Sequence, residues 1–292
     1  MLLLTGATGR VGSALLRKVI ERRTPVRCLV RDPRRLGTGR VRVQLALGDL
    51  ADPASFRHAL RGVETVVHLA ATERDQPDAT IEEVNALATW RLLRAAEREG
   101  VRHFIYLSPL GATPHDRSRV HRSKALAERA VADADLATTV LRCSLIYAPG
   151  DTKLALLDLL SRFPAVPVTQ TMKEARSQPV WADDVAACVQ AVMERGPAGH
   201  STLDIAGPQT LSQRDAIATV LAARGRPRRL VTLPTHLLLP VLHAYEVASG
   251  PVALATRDEA DVMGATMLAE RGTADAEALG VSPLRIGEVL GT

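Results

Sequence analysis

The sequence predicts an α/β protein built on a doubly wound parallel sheet, with a smaller C-terminal lobe. Three observations point there. A short apolar run, Met1–Leu4, reads as a buried strand and leads directly into Gly6, Gly9 and Gly12, spaced G-x-x-G-x-x-G. A helical pattern follows at once, with Val11, Leu15, Leu16, Val19 and Ile20 on one face. Apolar strands then alternate with helices as far as Gly150, which is the pattern of parallel strands joined by crossover helices.

The first unit already implies a ligand. Gly6 allows a sharp turn, Gly9 lets the backbone approach a pyrophosphate, and Gly12 lets the helix pack close to the strand. The free N–H groups and the dipole at the helix start then attract phosphate. Val26–Val30 is the second strand, ending in Arg31, Asp32, Pro33, Arg34 and Arg35. An NAD site places an acid about twenty residues beyond the glycines to hold the ribose 2′-OH. Here Arg31 stands nineteen residues after Gly12. A cation there attracts a 2′-phosphate, with Arg34 or Arg35 in support. A charge-assisted hydrogen bond is worth roughly 1.5–3 kcal/mol, so NADP(H) is expected over NAD(H). Asp32 is the competing partner for the ribose.

Val41–Leu47 reads as the third strand, closed by Gly48, Asp49 and Leu50, and Asp52 with Pro53 opens a short helix. Val63–Leu69 is the fourth strand, with His68 as a core histidine, followed by the small residues Ala70 and Ala71. Ile81–Arg98 is a long amphipathic helix with Asn85 near its start, and Val101–Leu107 is the fifth strand, ending at Ser108. A helix carrying Val120, His121 and Lys124 runs to about Ala134, and Thr138–Ile146 is the sixth strand. A further helix starts within Gln178–Val185 and runs to Glu194; Ser201–Ala206 is a strand, Ser212–Arg224 a helix with Ser212 as N-cap, and Arg229–Leu233 a strand. Residues 1–150, with 179–206 returning to them, are expected to form the nucleotide-binding core. Residues 151–178 and 207–292 are expected to form the substrate lobe.

Composition narrows the function classes. With 46% hydrophobic and 24% charged residues over 292 positions, the chain has the makeup of an ordinary soluble globule. The net charge of +5 does not indicate nucleic-acid binding, because the arginines are scattered and aromatics are only 3%. Cys28, Cys143 and Cys188 have neither zinc nor disulfide spacing and read as buried thiols of a cytoplasmic protein. No signal peptide is expected, and no apolar run reaches a membrane span. The segment Leu237–Leu242 is read first as core, with a homodimer contact or a lipid-like substrate as its alternatives.

The stretch Thr5–Gly12 resembles the nucleotide fingerprint of extended and atypical short-chain dehydrogenases/reductases. The resemblance extends over nearly the whole chain and softens after about residue 210. It implies NAD(P) on a Rossmann sheet, with Asp49 near the adenine amino group, Ala70 and Ala71 near a ribose, and the segment after the sixth strand along the nicotinamide. The cofactor-binding set it implies is Gly6, Thr8, Gly9, Arg10, Val11, Gly12, Arg31, Arg34, Asp49, Leu50, Leu69, Ala70, Ala71, Lys124, Cys143 and Leu145. The catalytic set it implies is Lys124, Ser108 and Asn85, the last guiding a water that relays protons.

One position departs from the family. Most of its members pair a tyrosine with a lysine four residues later, on one helix face, although relatives resembling isoflavone reductase manage with the lysine alone. The lysine here is Lys124, one of four in the chain, and the tyrosine position holds Val120. A general acid contributes about 10²–10⁴ in rate. His121 is turned about 100° from Val120 on the helix. Of the three tyrosines, Tyr106 is expected in the core, and Tyr147 is the candidate surrogate. Two readings follow, and a third, an epimerase or dehydratase acting on a sugar nucleotide, suffers most from the missing tyrosine. One is an NADP(H)-dependent reductase of a small, mostly apolar carbonyl, imine or activated alkene, with Lys124 and Ser108 acting on the substrate. The other is a nucleotide-binding sensor or assembly protein without turnover, resembling NmrA-like regulators or the nucleotide-binding subunit of respiratory complex I.

Overall fold

The computed structural model describes residues 1–234 and 256–291, with His236, Pro240, His243 and Ala244 between them. Leu237, Leu242 and Tyr245 lie outside the described residues. The chain begins with β1 (Leu2–Thr5), α1 (Arg10–Glu21), β2 (Val26–Val30), β3 (Gln44–Leu47), α2 (Pro53–Phe56) and β4 (Thr65–His68). There follow α3 (Ala88–Arg98), β5 (His103–Pro109), α4 (Arg119–Ala132), β6 (Ala137–Cys143) and β7 (Ile146–Tyr147). Next come α5 (Thr152–Leu160), β8 (Ala165–Thr169), α6 (Gln170–Glu174), β9 (Arg176–Ser177), β10 (Val180–Trp181) and α7 (Ala182–Arg195). The remainder includes β11 (His200–Ile205), β12 (Leu211–Ser212), α8 (Gln213–Ala223) and β13 (Arg229–Leu233).

The seven-stranded sheet has the order β3-β2-β1-β4-β5-β6-β11, and every neighbouring pair is parallel. This is a Rossmann sheet. Strand order reverses between β1 and β4, where a crevice opens at the carboxyl ends of the strands. β1 is buried along its whole length, as a central parallel strand requires. One face of the sheet packs on α1 and α7 through Val11, Leu15, Val185 and Val189; the other packs on α3 and α4 through Leu92, Leu93, Ala127 and Val131. β8 and β13 pair beside α8 around a separate cluster of Val166, Val168, Ile217 and Leu221.

Three elements differ from the sequence expectations. The third strand starts at Gln44, not Val41. Asp52 has a counterpart in Asp32: it caps a helical segment, Pro33–Arg42, whose proline sits in the first turn, and Val41 is left 80% exposed. The sixth strand ends at Cys143; Ser144 still donates its N–H to Ile205 of β11, while its hydroxyl donates to the Met267 carbonyl. The long helix 81–98 carries a π-turn at Glu83–Leu87, centred on Asn85. Ser212 is the N-cap of α8, and the three cysteines are buried and free, as expected.

Candidate active site

The crevice at the strand reversal is a cleft of about 840 Å³. Its floor is the glycine turn. Gly6 has φ +71°, and a Cβ there would stand 2.5 Å from the Ala70 nitrogen. A Cβ on Gly12 would run into the Gly6 carbonyl oxygen. Only glycine lets β1, α1 and the chain after β4 converge this closely. Gly9 is the N-cap of α1 and offers no side chain to the first-turn N–H groups, which remain open to an anion. The cradle therefore fits a dinucleotide pyrophosphate.

Of the sequence-predicted cofactor residues, Gly6, Thr8, Gly9, Arg10, Val11, Gly12, Leu69, Ala71, Lys124, Cys143 and Leu145 line the cleft. Arg31, Arg34, Asp49, Leu50 and Ala70 lie outside its wall. Arg31 pairs with Asp49 at 3.9 Å, at the ends of β2 and β3, and the Ala70 N–H donates to the Thr5 hydroxyl. From the arginine cluster, Arg35 reaches the wall. The Asp32 carboxylate accepts the Arg34 N–H at 2.9 Å as the cap of its helical segment.

Arg10 crosses the cleft. It donates to the Ile146 carbonyl, to Asp151 at 2.6 Å and to Glu73 at 3.3 Å, and Lys153 closes the group at 2.5 Å from Glu73. Burial works against the Arg10 charge, but Asp151 and Glu73 outweigh it and hold its pKa up. Sequence reasoning missed Glu73 and Lys153, since only the fold brings the loops after β4 and β7 together.

Lys124 lies at the far end of the cleft, 5% exposed. Its ammonium donates to the Leu107 carbonyl at 2.8 Å and sits 4.5 Å above the Tyr106 ring. Burial pushes its pKa down to about 8, against the opposing pull of Glu128 and Cys143. Ser108 is buried beside it, and its hydroxyl has no hydrogen-bond partner among the described residues. Val120 and His121 share this part of the wall, with Leu107, Pro109, Leu145, Val262 and Met267 giving it an apolar character. The turn of about 100° that separates His121 from Val120 does not remove it from the cleft, whose wall includes both residues.

Two expected residues take other parts. Asn85 is fully buried; its amide donates to the Thr72 carbonyl and the Ser123 hydroxyl, and its oxygen accepts the Thr72 N–H. It pins the loop after β4 and is absent from the cleft lining. Tyr147 packs among Leu154, Val220 and Ile286, away from Lys124's end, and burial raises its pKa. His68 is a core histidine. It bonds Thr5 at 2.7 Å and Thr89 at 2.9 Å, and burial, helped by the Lys124 charge, lowers its pKa to about 3.

Residues 6–195 match the model of a protein family described as NAD(P)H-binding. The chain belongs to this family. It is 30% identical over 239 residues to the NAD(P)H azoreductase of Xenophilus azovorans, covering 80% of this chain and 77% of that protein. It is 30% identical over 242 residues to the ceramide reductase of Caulobacter vibrioides, covering 79% and 73%. The NADPH-dependent quinone oxidoreductase QOR2 of Escherichia coli, solved with NADPH, superposes with a TM-score of 0.77 at 18% identity, over 99% of this chain and 98% of that one. That last likeness is one of fold.

Proposed function

We propose that this chain is an NADPH-dependent reductase of a small, mostly apolar carbonyl, imine or activated alkene. The observation that carries the reading is the presence of a buried Lys124 ammonium and an unpartnered Ser108 hydroxyl on the wall of the cleft that starts at the glycine turn. Buried polar groups almost always have partners; one without a partner on a cleft wall is suited to a ligand. Reductases among the relatives support the same class of reaction.

Bound NADPH would supply the hydride. Gly9 and the start of α1 would hold its pyrophosphate, and Arg35 with Arg31 its 2′-phosphate. The commitment of Asp32 to capping supports NADPH over NADH. Ser108 donates a hydrogen bond to the substrate oxygen, and the Lys124 cation draws electron density toward it in a site of low dielectric. Glu259, Val262 and Met267 on the cleft wall support residues 151–178 and 207–292 as the substrate lobe, set against a core of 1–150 and 179–206.

The test is NADPH oxidation against quinones, aldehydes, enones and azo dyes. Wild type should turn over at least one acceptor, and Lys124→Ala should lose about a hundredfold or more in kcat. Turnover unaffected by that change would refute the lysine's role. The second reading, a nucleotide-binding protein without turnover, is favoured by Val120 alone; NADPH binding with no acceptor reduced would establish it.

A further inference from the structure

We propose that His121 is the proton donor of this reduction, supplying what Val120 cannot; the proposal rests on the reductase reading above. Both ring nitrogens are buried, and neither has a hydrogen-bond partner among the described residues. With Ser108 they form a group of unpartnered polar atoms on residues of one cleft wall. His121 and Lys124 are three residues apart on α4 and so share a face of it.

The other candidates are less well suited. The Tyr106 ring lies beneath Lys124 inside the core, and Tyr147 belongs to a different cluster. The Lys124 ammonium is tied to the Leu107 carbonyl. Ser108 has a hydroxyl, a far weaker acid than an imidazolium.

Asp116 lies beside the imidazole, within ion-pair distance and without a hydrogen bond to it. Its carboxylate lies 3.4 Å from Nδ1, and its other oxygen is fixed by the Ser118 N–H at 2.7 Å. A carboxylate on the Nδ1 side of the ring leaves Nε2 as the nitrogen to act on the substrate. It also balances the positive charge that an imidazolium would meet from Lys124 and from the start of α4.

The step balances. The carbonyl carbon takes hydride from the dinucleotide, and the C=O π pair moves to oxygen. The Nε2–H bond breaks with its electrons left on nitrogen, and the proton forms the product O–H. The neutral imidazole recovers a proton from water when product leaves.

The experiment compares wild type, His121→Gln and Asp116→Asn in NADPH oxidation with the acceptor that wild type reduces fastest. NADPH affinity and thermal melting are measured on each protein. His121→Gln should lose about 10²–10⁴ in kcat with NADPH affinity within threefold of wild type. Asp116→Asn keeps the oxygen that receives the Ser118 N–H, so it should fold normally. It should lose roughly tenfold in kcat with the NADPH KM unchanged, and Asp116→Glu should restore most of the loss. These carboxylate variants carry the test if His121→Gln does not fold. An active wild type whose folded His121→Gln variant keeps kcat within threefold overturns the assignment and leaves the reductase reading standing; unchanged kcat in Asp116→Asn overturns it equally. A wild type that binds NADPH and reduces no acceptor overturns both.

Discussion

Lys124 shows most clearly how burial changes a single side chain. The unfolded chain holds its proton up to the ordinary value of 10.5, whereas the folded chain releases it above about 8. Between those values the unfolded state binds more protons, so stability from this group grows as pH rises from about 8 to 10.5 and is lost again on return to pH 8. Denaturant midpoints of the cofactor-free protein should therefore gain more over this window in wild type than in Lys124→Met; equal gains would contradict the buried, deprotonating lysine. Gly12 makes a second residue-scale prediction. Its missing Cβ is what lets α1 approach the Gly6 carbonyl, so Gly12→Ala should abolish measurable NADPH binding and lower the melting temperature. Retention of wild-type affinity in that variant would show that the turn is not the phosphate cradle.

At the scale of elements, the end of the cleft that holds Lys124 is closed by ion pairs between segments distant in sequence. Arg119 at the start of α4 reaches Asp75 at 2.9 Å, Glu82 at 2.7 Å and Asp258 at 3.3 Å, and Arg74 reaches Glu259 at 2.6 Å. Both sets tie the helix Arg257–Met263, which carries the wall residue Val262, to the loop after β4. Arg119→Ala should speed amide hydrogen exchange in residues 256–263 while leaving β1, β4 and β5 unchanged; uniform exchange would mean that the helix is held by packing alone. The sequence already contained the parts that depend on local pattern. β1, the glycine turn and α1 are readable from residues 1–21, because turn and apolar face lie within one short stretch. Val41 was misleading because a strand-like run of alternating valines also suits the end of a capped helical segment. Arg10 with Glu73, Asp151 and Lys153 could not be read at all, since these partners meet only after the sheet has assembled. His121 is hidden from the sequence for a related reason: a helical wheel gives its angle from Val120, but not that it shares the cleft wall with Ser108 or that Asp116 stands beside it.

On the scale of the whole molecule, two helical layers hold a parallel sheet whose strand order reverses beside β1, and the cleft draws on both halves of that arrangement. A ligand bridging those halves stabilises the folded state alone. At a hundredfold excess over its Kd, NADPH should add about 2.7 kcal/mol, which is a rise of roughly 5 °C in Tm for a domain of this size. No helix among the described residues is long and apolar enough to cross a membrane. The most direct test of the account is calorimetric titration of the purified protein with NADPH and with NADH at matched ionic strength. Saturable binding of one dinucleotide per chain is expected, with NADPH at least about tenfold tighter through a charge-assisted contact to its 2′-phosphate. Equal affinities would contradict the arginine assignment, and no binding of either would contradict the account at its centre.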